Sequence, residues 1–195
     1  MRLPFVAGIV AAVCAALAAP TAAVAQPASP TPDGPVPSGQ LSARDKAFLN
    51  VAGQGARFEV VSGKLAADRA ANPRVRAFGE RMARDHGKEY EQLQQLGRSL
   101  GVTPPSGPGP DQQKVLTIWQ SLRGGPFDCS YAPVMYADHE DDVGMYLLMS
   151  AHADDARVRA FAKAQVPVLQ THLALADKNL TGLNCSAPPR APSAS

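Results

Sequence analysis

The sequence has little net charge: 19 basic residues against 17 acidic ones leave +2. No stretch gathers its lysines and arginines into a patch, and there is neither an aromatic RNA-type motif nor a glycine-rich phosphate loop. Nucleic acid is therefore not an expected partner. No segment alternates apolar and polar residues as a strand does, so β-structure is not expected. Nothing marks a nucleophile, since there is no nucleophile elbow and no Cys/His pair on a common helix face. Beyond the first 25 residues no run is apolar and long enough to span a bilayer. Cysteines number only 3, and one of them, Cys14, lies inside the apolar leader.

That leader carries one early cation, Arg2, and then an uncharged Ala/Val/Leu run closing on Ala23-Val24-Ala25. The small-x-small ending marks residues 1–25 as a cleavable signal peptide, with an uncleaved membrane anchor as the rival reading. The expected location is thus outside the cytoplasm: periplasm, cell envelope or secreted. Residues 26–40 are rich in Pro, Ser and Gly without periodicity and read as a disordered linker; residues 186–195 read as a similar tail. Between them, residues 41–185 make about one domain. After cleavage Cys129 and Cys185 remain, and an even count in a disulfide-permissive compartment favours a bridge over two free thiols.

Helical period and helix punctuation run through the domain. Ser42 with Asp45 forms a capping box ahead of Phe48, Val51, Phe58 and Leu65. Asn72-Pro73 opens a second helix through Val75, Phe78, Met82, His86 and Leu93, which Gly101 and Pro104-Pro105 end. A short segment, residues 111–123, carries Val115, Ile118 and Trp119 and stops at Gly124-Gly125-Pro126. Asp128 is expected to cap a third long helix, and Asp155 a fourth. RVRAF occurs twice, from Arg74 and from Arg157. Aligning the copies sets Asn72 against Asp155 and Glu59 against Asp142, as in a duplicated helix pair. Two such pairs give an all-α antiparallel four-helix bundle with an extra short helix between them. In that arrangement Cys129 falls near Cys185, and closing the loop stabilises the fold by roughly 4 kcal/mol.

Each long helix puts one metal-ligand type on or beside its apolar stripe: Glu59, His86, His139 and His172. Left unpaired in a core, each would cost several kcal/mol, so they satisfy one another or bind something. Glu89 and Asp142 follow His86 and His139 at i+3, on the same face, as extra ligands or as acceptors fixing a ring tautomer. Asp85 and Asp138 precede the same histidines and are expected to point outward. His152 is expected to be solvated or capping. Three imidazoles and a carboxylate suit one transition-metal ion (zinc, copper, iron or manganese) and fit calcium poorly. Taken singly, each histidine also has a plainer reading as a hydrogen-bonded core residue. Pro167 is expected to bend the fourth helix just before His172.

The series Phe48-Leu49, Glu59, Gly63, Leu65-Ala66, then Asn72, Val75, Phe78, Met82, Asp85-His86, then Gly125, Phe127-Asp128, Tyr131, His139, and finally Val158, Phe161-Ala162, Pro167 and His172 resembles the bacterial exported family known as domain of unknown function 4142. The resemblance covers nearly the whole domain. It implies a ferritin-like four-helix bundle and an envelope location, and no settled activity. Di-iron bundles use Glu-x-x-His on two helices. Here Ala83 and Leu169 stand three residues before His86 and His172, and neither binds metal. Three functions are therefore in play. The first is an exported metal-binding bundle. The second is a metal-free structural or interaction module of the envelope. The third is a di-metal oxidase or peroxide-consuming enzyme, which would need Glu89 or Asp142 to stand in for the missing carboxylates.

Overall fold

In the computed structural model, residues 40–185 are described. The expected signal segment, nearly all of the linker and the tail lie outside them. Five helices follow in order: α1 (Ala43–Arg69), α2 (Pro73–Leu100), α3 (Pro110–Ser121), α4 (Gly124–His152) and α5 (Ala156–Thr181). No strand occurs among the described residues. None of these helices is long and apolar enough to cross a membrane.

α1 packs along α2, and α4 along α5. Side-chain bonds between the ends give the relative directions. Arg44 at the start of α1 donates to the His152 carbonyl at the end of α4. Arg74 at the start of α2 donates to Gly182 just past α5, and Arg157 at the start of α5 donates to Ser99 near the end of α2. Neighbouring helices are therefore antiparallel throughout, the ferritin-like order, and α3 lies within the long connection between the hairpins. α3 is held by Trp119, which stacks on Phe58 and packs on Tyr131. Its indole N–H donates to Ser130 Oγ at 3.0 Å.

The two halves echo each other more deeply than RVRAF suggests. Asn72 and Asp155 each accept the backbone N–H two residues on, as N-caps do. Arg76 and Arg159 each donate to the carbonyl six residues back, at Ala70 and Ala153. The same shift carries Asp45 onto Asp128, and both depart from the expected roles. Ser42 caps α1, but Asp45 does not close the box; fully buried, it accepts the backbone N–H groups of Asp154 and Asp155 in the α4–α5 turn. Asp128 caps nothing of its own. Gly124, at φ 64°, lets α4 begin five residues earlier than expected, with Arg123 rather than Asp128 at the N-cap, and Asp128 instead accepts the Asn72 N–H in the α1–α2 turn. Each hairpin thus supplies a carboxyl that ties down the other's turn.

The interior has two apolar regions. One gathers Phe58, Val75, Phe78, Met82, Trp119, Phe127, Tyr131 and Met135; the other gathers Phe48, Leu49, Leu93, Tyr146, Met149, Val158 and Leu169. Each large apolar side chain so buried contributes about 1.5–3 kcal/mol. Val51 and Ile118 fall on the expected stripes but are 49% and 56% exposed, because the bundle uses a narrower seam than the helical period allows. α1 and α2 approach closely at Gly63 and Gly79, where a Cβ on Gly63 would stand 2.4 Å from the Gly79 carbonyl oxygen. α5 runs unbroken through Pro167, as α4 does through Pro133.

Candidate metal centre

A polar layer lies between the two apolar regions. On α2 it falls between Met82 and Leu93, on α4 between Met135 and Tyr146, and on α5 between Leu169 and Ala176, so one layer collects a set from each helix. His86, His139 and His172 are all buried there. Their ring centroids stand 5.2 to 5.8 Å apart, and one ring nitrogen from each lies within 4.8 Å of the other two.

Each imidazole has one nitrogen tied to an acceptor. His86 Nδ1 donates to Glu89 Oε2 at 2.6 Å. His139 Nδ1 donates to the Met135 carbonyl at 2.8 Å. His172 Nε2 donates to Asp85 Oδ2 at 3.0 Å. A backbone carbonyl can only accept, which fixes the His139 tautomer, and the two carboxylates fix the others in the same sense. The nitrogens left over (His86 Nε2, His139 Nε2 and His172 Nδ1) are lone-pair acceptors, buried and without any partner. Three unpaired acceptors in one core layer are an expensive arrangement unless a cation or donor meets them.

Burial, with His86 close by, pushes His139 and His172 down from 6.5 to about 4. Both rings are therefore neutral at physiological pH, the form that binds metal. Burial works against the charge of Asp85, but the His172 hydrogen bond and Arg81 at 3.1 Å outweigh it and hold its carboxyl below the ordinary range. The Tyr146 hydroxyl donates to Glu89 Oε1, so Glu89 is held on both oxygens. Asp85 and Glu89 also line a cleft of about 450 Å³ between α2 and α5, with Arg81, Lys88, Gln92 and Gln165 around it.

Glu59 is placed differently from the three histidines. It is fully buried, with Oε1 3.8 Å from His139 Nδ1, and it groups with Asp138 and His139 rather than with all three imidazoles. Neither of its oxygens has a hydrogen-bond partner. Burial raises its carboxyl well above the ordinary range, and Asp138, Asp142 and Glu89 add to the shift. Asp142 is raised by burial and then by Asp138 and Glu89. His152 ends α4, exposed and remote from the layer.

The aspartates expected to face outward do not. Asp85 backs His172 across the α2–α5 seam, and Asp138 is half-buried with Oδ2 unpartnered. Adjacent helical residues do not share a face, so an Asp next to a core histidine reads as a surface charge. Here it occupies the boundary with a neighbouring helix instead. The Asp-His pairing, present on both α2 and α4, was the available signal. Tyr131 and Tyr146 gave none, because each also fits an apolar stripe. At the α4 and α5 ends Cys129 and Cys185 come to disulfide distance, with Cα atoms 5.5 Å apart.

The family described as Domain of unknown function (DUF4142) matches residues 30–178. Among solved structures, a DUF305 fragment from Deinococcus radiodurans is similar at TM-score 0.63 and 14% identity, covering 74% of this chain and 99% of that one. A conserved hypothetical protein from Mycobacterium tuberculosis is similar at TM-score 0.57 and 15% identity, covering 75% of this chain and 96% of that one. Likeness at such identity extends to the fold alone. No curated protein matches the sequence.

Proposed function

The chain belongs to the DUF4142 family, whose name leaves activity open, and we propose from the site that it is an exported helical bundle holding one transition-metal ion. The ligands are His86, His139 and His172, with Glu59 reaching the same layer through His139. One observation carries the proposal: three buried ring nitrogens without partners, each on an imidazole whose other nitrogen is anchored. Carboxylate- or carbonyl-backed histidines are the usual support of metal-binding imidazoles. Some point lies within about 2.8 Å of one nitrogen on each ring, and a zinc–imidazole bond is ~2.1 Å, so side-chain adjustments of under about an ångström would close the site.

Nitrogen donors suit zinc, copper, iron or manganese. Three imidazoles leave coordination positions free, unlike closed structural zinc sites with four protein ligands. Export is supported by the small-x-small leader and by the cysteine pair, which fits an oxidising compartment. The test is retention. Protein stripped with chelator, given one equivalent of Zn(II) and dialysed should keep it, and His172→Ala should lose it while staying helical. Equal Zn(II) content in wild type and His172→Ala removes the imidazole site, and none in either favours a metal-free envelope module.

A further inference from the structure

Three oxygens remain orphaned beside the imidazole layer: Glu59 Oε1, Glu59 Oε2 and Asp138 Oδ2, all buried without a hydrogen-bond partner. They belong to a group in which Glu59, Asp138 and His139 each bring an atom within 4.8 Å of the others. The Tyr131 hydroxyl is also buried without a hydrogen-bond partner, and the charges of Glu59 and Asp138 both bear on it. Ser62 donates its hydroxyl proton to Glu59's own backbone carbonyl at 3.3 Å, so it has none to give either carboxylate. The charged groups acting most strongly on Glu59 are Asp138, Asp142 and Glu89, all acidic. One proton shared between the two carboxyls would satisfy two of the three oxygens and leave the third bare in a core, at a cost of about 1–3 kcal/mol or more.

We propose that Glu59 and Asp138, with Asp142 and the Tyr131 hydroxyl beside them, hold a second divalent cation through oxygen donors. It goes beyond the imidazole ion and does not depend on it. Asp85 and Glu89 are engaged behind the imidazoles, Asp85 also by Arg81, so neither answers the acidic group of Glu59, Asp138 and Asp142. An all-oxygen donor set favours a harder cation than three imidazoles do, so Mn(II) is the fitting probe.

The test uses the full chain, stripped of metal, given one equivalent of Zn(II) and then titrated with Mn(II). Binding is followed by the loss of the free-ion electron paramagnetic resonance signal. The wild type should take up Mn(II) in addition to Zn(II). Glu59→Gln and the half-buried Asp138→Asn should each lose Mn(II) uptake and keep Zn(II), with helicity checked by circular dichroism. His172→Ala should lose Zn(II) and keep Mn(II). Zn(II) failing to bind while Glu59→Gln abolishes Mn(II) uptake would remove the imidazole site and leave the oxygen site standing. Mn(II) uptake absent from the wild type, or equal in wild type, Glu59→Gln and Asp138→Asn, overturns the second site in favour of a shared proton.

Discussion

Glu89→Gln isolates the contribution of the carboxylate behind His86. Glu89 is buried, accepts from His86 Nδ1 at 2.6 Å and also accepts the Tyr146 hydroxyl. Glutamine keeps the length and one acceptor oxygen, so His86 retains its tautomer, but the negative charge that makes Nε2 a stronger donor is lost. Replacing it with leucine would also orphan the Tyr146 hydroxyl and confuse stability with affinity. Partners of this kind are typically worth 10–100-fold in metal affinity, about 1.4–2.7 kcal/mol. Zn(II) affinity, measured by competition against a chromophoric chelator at pH 7, should weaken by that range while the far-ultraviolet spectrum stays unchanged. Affinity within about threefold of wild type would refute the view that Glu89 supports a metal-binding imidazole.

Gly63→Ala drives a Cβ to 2.4 Å from the Gly79 carbonyl oxygen and 2.8 Å from the Ala83 nitrogen; overpacking of about 1–3 kcal/mol outweighs the ~1 kcal/mol helix-propensity gain. Gly87→Ala meets nothing within 4 Å and should stabilise by about 0.5–1 kcal/mol, so thermal melting should move in opposite directions for the two variants. Reducing the Cys129–Cys185 pair, which closes a separation of 56 residues, should lower unfolding free energy by up to about 4 kcal/mol in urea titrations. In the metal-free protein His139 and His172 titrate near about 4 rather than 6.5. The unfolded chain therefore takes up those protons first, and stability falls as pH drops from 6.5 through about 4. The raised carboxyl of Glu59 acts with the opposite sign, since the native state holds its proton more tightly. Glu59→Gln removes that offset, so its urea-unfolding free energy should fall more steeply than wild type between pH 7 and pH 4.

The helices were legible because their boundaries rest on local chemistry: Asn72-Pro73, Asp155 and Gly101 act through their own backbone. Asp45 and Asp128 were misread because their partners lie in the opposite hairpin, and no local pattern records a contact so distant in sequence. The histidines could be picked out since an imidazole on an apolar stripe is conspicuous in one dimension. Glu59 was grouped with them by its position along α1, yet its place on the Asp138 side of His139 depends on how α1 seats against α4. The same interhelical packing makes Asp85 a partner of His172.

X-ray absorption at the zinc edge, on full-length protein carrying one equivalent of Zn(II), tests the imidazole site most directly. Three histidine imidazoles should give nitrogen scatterers at ~2.0–2.1 Å with the outer-shell pattern of rigid rings, and His139→Ala should diminish it. A first shell of oxygen without ring scattering, or zinc lost on desalting, would contradict it.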